Sequence, residues 1–178
     1  MKTYRGWHFV GSTLRDGTLI PKDGVWLKHK GPLVMCKSGL HWSKEPFDAL
    51  QYAPNATLCQ IEARGDTLHD ADKSVSQERR ILRRMDATEL LRYFARMQAL
   101  SVIHLYPNGT DNVVFDYLMT GDENLRAAAE DASWAASRAA SRAASRAASR
   151  AAAEDAAWAA SGAAAWAEFN ALVYECFE

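Results

Sequence analysis

The sequence predicts an α+β protein, with a small mixed β domain and short helices followed by a helical C-terminal part containing a long alanine-rich helix. Three observations predict it. Up to about Asp70, short aromatic and β-branched runs are cut by Asp16-Gly17, Asp23-Gly24 and Gly31-Pro32, which is hairpin spacing. Past Asp86, apolar residues recur at helical intervals. From Glu123 onward alanine dominates and proline is absent. A chain of 178 residues with these features is expected to divide into a globular domain over 1–120 and a helical arm over 121–178.

Taken in order, "TYRGWHFV" reads as a strand closed by Gly11-Ser12, and "LVMC" as a short apolar run. In "SKEPFDALQYAP", Ser43 is the expected N-cap of a short helix with Pro46 in its first turn. Phe47, Leu50 and Tyr52 are expected to face inward, and Pro54 ends the helix. "ATLCQIEA" alternates Leu58, Gln60 and Glu62 against Cys59, Ile61 and Ala63 in part, so it reads as a short strand. "ERRILRRMDA" reads as another strand despite its arginines. Asp86 and Glu89 have capping-box spacing and open a helix whose stripe is Leu90, Leu91, Phe94, Met97 and Val102. "YPNGTD" is a loop, and Asp111 is the expected cap of "NVVFDYLMT".

The arm contains four successive Ala-Ala-Ser-Arg units ending in Arg138, Arg142, Arg146 and Arg150. A step of four residues turns an α-helix by about 400°, so each arginine lies about 40° beyond the last. The stripe therefore fans over about 120° while rising about 18 Å, unlike a coiled-coil seam. Five arginines stand against eight carboxylates from Glu123 onward, a net of −3, which is the wrong sign for gripping phosphates. Alanine burial yields little energy per residue, so the aromatic anchors of the arm, Trp134 among them, are expected to hold it to a neighbour. Gly162 is its one weak point. Beyond it, Trp158, Trp166, Phe169, Val173 and Cys176 are expected on one docking face, most simply an intramolecular one.

The overall net charge of −1 excludes bulk attraction to nucleic acid or anionic membrane. Charged residues interrupt every apolar run before bilayer length. Three cysteines, Cys36, Cys59 and Cys176, suit reduced thiols in a cytosol, and a cytoplasmic protein is expected. Five scattered histidines give no metal-ligand spacing, and no phosphate loop or nucleophile elbow is present.

The segment Gly39-Leu40-His41-Trp42-Ser43, a short helix ending near Tyr52, and a strand ending in Gly65-Asp66 together resemble the central motif of the ADP-ribosyltransferase fold. "YRG" near the N-terminus resembles that fold's first-strand motif, so the likeness covers residues 3–85. It implies NAD as cofactor, with Arg5 or His8 on its phosphate or ribose and His41 and Trp42 against nicotinamide. Ser43 and Tyr52 are implied beside them, and Glu78 of "QERRIL" as the carboxylate that polarises the ribose. His41 stands where one branch of that fold has Tyr, and the Ser-Thr-Ser triplet of the other branch is absent. Each residue also has a purely structural alternative. Arg5 would be a surface strand residue, Trp42 a core residue, His41 a satisfied buried histidine, and Glu78 the partner of a neighbouring arginine.

Over nearly its whole length, through "YRGWHFVGSTLRDG", "GPLVMCKSGLHWS", "DALQYAP", "ALSVIHL" and "YLMTGDENLRAAA", the chain resembles an uncharacterised family of phages and bacteria. The first functional expectation is accordingly a phage or prophage accessory protein in the host cytoplasm that binds a host protein or complex and blunts a defence system. Trp134, Arg138, Arg142, Arg146 and Arg150 would carry docking or self-association. The alternatives are an NAD-dependent transferase and a structural helical oligomer. Because the arm is net acidic, changing the four repeat arginines to Gln should alter DNA or RNA affinity by less than about twofold. Fluorescence-anisotropy titrations across salt concentration check this, and a large loss with a shallower salt slope contradicts it.

Overall fold

The computed structural model describes residues 2–14, 17–105, 112–144 and 151–177, with side chains except at 105, 139–144, 151–161 and 163. The chain forms two compact units, residues 1–90 together with 166–178, and residues 91–165.

The first unit contains β1 (Thr3–Phe9), β2 (Leu27–Lys28), β3 (Leu40–Trp42), α1 (Pro46–Leu50), β4 (Thr57–His69) and β5 (Ser74–Asp86). These strands make one antiparallel sheet in the order β1-β4-β5-β2, with β3 also on β5. The partial alternation read in β4 is observed, since Cys59, Ile61 and Ala63 are fully buried against half-buried Gln60 and Glu62, while Leu58 of the opposite register is fully buried as well. Cys59, Ile61 and Ala63 pack with Val10, Trp42 and Ile81.

The sheet does not stay open. Past the end of β3, Ser43 donates its backbone N–H to the Trp7 carbonyl at 2.9 Å and accepts the Trp7 N–H at 2.8 Å. Hydrogen bonding thus runs β1-β4-β5-β3 and back to β1. Irregularities in the β4–β5 register at Gln60/Ile61 and Arg64/Thr67 supply the extra twist such curling requires. Gly6 is dictated by the closure, because a Cβ there would lie 2.4 Å from Trp42 Cε3 and 2.5 Å from the Ser43 carbonyl.

This closure also explains why Ser43 is not a helix cap. Its backbone is committed to Trp7, and α1 begins instead at Pro46, with Glu45 at the N-cap position making no side-chain cap. The orphan N–H of Phe47 donates to Asn170 Oδ1 at 2.7 Å, so the cap comes from the far end of the chain. Within α1 it is Pro46 and Ala49 that are buried, whereas Tyr52 is exposed.

The C-terminal turns of α5 (Ala151–Phe177) complete this unit. Phe169 and Val173 are fully buried, and Phe169 meets Phe47 edge-on at 5.6 Å between ring centroids. Trp166 Nε1 donates to Asp48 at 3.1 Å, the Tyr174 hydroxyl donates to Glu45, and Phe177 meets the Trp7 ring edge at 4.8 Å. The expected intramolecular docking is therefore observed, with a shifted face. Cys176 and Trp166 are exposed, and Asn170 and Phe177 belong to it instead. The Trp158 side chain lies outside the described residues. Gly162 sits inside α5 without breaking it.

The second unit takes in most of α2 (Thr88–Ser101), a 3₁₀ turn (Ile103–Leu105), α3 (Val113–Thr120), α4 (Glu123–Ala144) and the start of α5. Before α2, Asp86 accepts from the Thr88 backbone N–H at 2.9 Å. Phe94 is the buried residue of its stripe, and Val102 is exposed. Asp111 lies outside the described residues. The cap observed on α3 is Asn112, whose Oδ1 accepts from Val114 and Phe115 at 2.9 and 3.1 Å. Gly121, where the arm was expected to start, ends α3 in the left-handed conformation at φ 70°. Val114 and Leu118 of α3 pack against Ala129 of α4. Arg146 and Arg150 also lie outside the described residues. Among the described residues no helix is long and apolar enough to cross a membrane.

Because residues 166–177 carry core side chains of the β unit, the arm cannot be removed without cost. Phe169→Ala should destabilise the first unit by roughly 3–5 kcal/mol, and Trp134→Ala, on an exposed helix face, by less than about 0.5 kcal/mol. Urea unfolding followed by near-UV circular dichroism checks the contrast, and equal effects would contradict the assignment of the C-terminal turns to the core.

Candidate functional site

A cleft of about 780 Å³ opens in the first unit. Its walls come from β1 and the loop after it (His8 to Leu14), from the 37–41 segment leading into β3, and from Tyr52, Pro54 and Arg79. Gly39 lets the backbone pass tightly here. It has φ +114°, and a Cβ would fall 2.4 Å from Val75 Cγ2.

Arg79 is the unusual member. It is 2 % exposed, and its register partner on β4 is Ala63. Its Nη1 donates to the His41 carbonyl, while its Nε has no hydrogen-bond partner. None of the described residues lining the cleft is a carboxylate. Burial lowers the Arg79 pKa to about 10. His41 Nε2 accepts the Cys36 backbone N–H at 2.9 Å, which places the proton of a neutral ring on Nδ1. His29 Nε2 and Ser38 Oγ are 2.9 Å apart, and Ser38 also donates to the Pro32 carbonyl at 2.9 Å. Burial holds the His8 pKa well below the usual imidazole value, and the nearby Arg79 and His41 push it the same way.

Of the residues singled out in the sequence, His8, His41 and Tyr52 meet in this cleft. The Tyr52 hydroxyl donates to Asp72 and accepts from Lys73 at 3.0 Å. Trp42 lies in the core, where its Nε1 donates to Ser76 Oγ at 2.8 Å, and Ser43 is buried at the sheet closure. Arg5 is exposed and borders a separate, smaller cleft of about 410 Å³ with Trp7, Lys44, Glu45 and Tyr174. Glu78 precedes Arg79 in β5, so their side chains leave opposite faces of the strand. There Glu78 pairs with Arg64 at 2.7 Å and Lys28 at 3.2 Å, which holds its carboxyl below the usual range. Trp134 is 67 % exposed on α4, Arg138 is exposed on the same helix, and the Arg142 side chain lies outside the described residues.

The buried charge in the cleft wall that the sequence reading did not single out is Arg79. A signal existed, because in "ERRIL" a period of two puts Arg79 on the same side as Ile81 and opposite Glu78 and Arg80. A charge in the apolar register of a strand is the kind of mismatch that marks a site.

The His8 environment has a consequence for stability. Its proton is taken up more readily by the unfolded chain, near the ordinary value of 6.5, so stability rises with pH through that value and is lost as pH falls below it. Asp72, Glu78 and Asp86, whose pKa values lie below the usual range, lose their contributions only at lower pH. Asp48, raised by burial, acts in the opposite direction. His8→Gln should therefore flatten the fall in melting temperature between about pH 7 and about pH 5 and leave the steeper acid limb in place. Thermal melts across that range check it.

No curated protein and no solved structure is significantly similar to the chain. A family model described as a domain of unknown function (DUF7666) matches residues 4–93, a span that includes every residue lining the cleft. With half of its length matched, from β1 into α2, the chain belongs to the DUF7666 family.

Proposed function

We propose that the chain is a binding protein and not a catalyst, with the cleft walled by His8, His41 and Arg79 as its ligand site. Arg79 is the observation that carries this. A guanidinium taken out of water without a carboxylate partner is costly, and a ligand that supplies the countercharge gives it a purpose. The wider setting we propose is a phage or prophage accessory protein that engages a host macromolecule to blunt a defence system. The resemblance of the sequence to an uncharacterised family of phages and bacteria supports that setting. The exposed Trp134 on α4 suits a role for the arm in docking or self-association.

The second reading is an NAD-dependent ADP-ribosyltransferase. The meeting of His8, His41 and Tyr52 in one cleft favours it. Against it stands Glu78, held by Arg64 and Lys28 on the opposite face of β5, away from any ribose bound in the cleft. Incubation with millimolar NAD should release no nicotinamide, and Glu78→Gln should behave as wild type in that assay. Release of nicotinamide that Glu78→Gln abolishes would replace the binding reading with the transferase.

A further inference from the structure

We infer that the cleft is built for a phosphomonoester, a small molecule whose terminal phosphoryl group sits against Arg79 and whose organic body rests on Leu14, Ile20 and Leu40. This rests on the reading of the chain as a binding protein and gives that reading a ligand class.

Charge sets the head group. Two cations line the cleft, Arg79 in its wall and Lys37, exposed on the turn that precedes β3. None of the described residues lining it is a carboxylate, so the pair is not neutralised from within. A carboxylate ligand would match one of these charges, whereas a phosphomonoester near neutral pH carries close to two. Arg79 is 2 % exposed, and among the described residues its Nε–H has no partner while its Nη1 donates to the His41 carbonyl. Guanidinium N–H groups matched to phosphoryl oxygens are the strong, charge-assisted form of hydrogen bond. Lys37 is presented by a tight turn in which Val34 and Ser38 exchange backbone hydrogen bonds at 3.0 and 2.8 Å and Lys37 N–H donates to Val34 at 3.0 Å.

Size and polarity set the body. A volume of about 780 Å³ far exceeds a bare phosphate and lies in the range of small-molecule sites. Beside the polar groups, Leu14, Ile20, Leu40 and Pro54 form an apolar wall, which favours a ligand with an organic part over an inorganic anion. His8 lines the cleft with a ring whose pKa burial lowers, so it adds polarity to the wall without a charge that would raise the cost of the empty cleft.

Calorimetric titration of the full chain tests this, with phenyl phosphate, inorganic phosphate, benzoate and NAD as probes. In NAD each phosphate is an ester of a ribose on one side and an anhydride with the other phosphate on the other, so no terminal phosphoryl group is present. Phenyl phosphate should bind at least about tenfold more tightly than either inorganic phosphate or benzoate. Arg79→Met should weaken it by at least about tenfold while melting no lower than wild type, since a costly buried charge has been removed. Lys37→Ala, on an exposed turn, is the second variant and should weaken binding by about threefold or more with a shallower salt dependence. Benzoate binding as tightly as phenyl phosphate overturns the phosphoryl assignment and leaves the binding reading intact. Unchanged affinity in both variants, or no heat with any probe in folded protein, overturns the cleft as a phosphomonoester site. Cleavage of NAD overturns the underlying binding reading instead.

Discussion

The backbone pair between Trp7 and Ser43 is the constraint on which the β unit depends. Two hydrogen bonds join the end of β3 to the middle of β1, so β1 is paired on both edges, with β4 on one side and Ser43 on the other. The approach is close enough that position 6 has no room for a side chain beyond hydrogen. A strand pinned in this way cannot slip, and a slip of one residue would exchange its faces. Pinning leaves Tyr4 near Trp42 and His69, and turns Trp7 toward Tyr174 and Phe177. One face of β1 thus belongs to the interior and the cleft, and the other receives the C-terminal helix.

The same closure organises the start of α1. Because Ser43 is spent on the sheet, the helix lacks a local cap, and Asn170 supplies one from α5. The C-terminal turns consequently hold the β unit by polar and apolar means together. Asn170 and Trp166 bond to α1, while Phe169 and Val173 fill the core. Residues 91–165 are in this sense an insertion between two parts of one unit.

Arg79 sets the electrostatics of the interior. The surrounding β strands are dry enough to raise the Cys59 thiol to about 11 and to keep His8 neutral. On the opposite face of β4 and β5, arginines are matched with acids, Arg64 with Glu78 and Arg80 with Glu62, and both guanidinium groups lie over the Trp26 ring at 3.9 and 4.8 Å. Arginine on that face is neutralised and stacked, whereas Arg79 has neither form of compensation among the described residues. Neighbours in one strand thus hold their charges in opposite ways, one paired and stacked on the outer face and one buried beside the cleft.

The amino-acid sequence by itself determined the α+β class, the partial alternation along β4, the helicity of the alanine-rich segments that are described, and the docking of the C-terminal end. Each rests on a local rule, whether a period of two or of 3.6 residues, an Asp-Gly turn, or the absence of a breaker. The family match over residues 4–93 agrees with an uncharacterised domain, and of the residues that the motif resemblance implied, His8, His41 and Tyr52 line the cleft while Arg5, Trp42, Ser43 and Glu78 do not. Only the tertiary structure decided that Ser43 closes the sheet and caps nothing, that Asn170 caps α1, and that Arg79 lines the cleft while Glu78 is held outside it by Arg64 and Lys28. These depend on partners far apart in the chain, 123 residues in the case of Phe47 and Asn170. No local pattern encodes such a pairing, because a backbone N–H or a guanidinium accepts any geometrically suitable partner. Which one it meets is settled when the sheet curls and the distant helix packs.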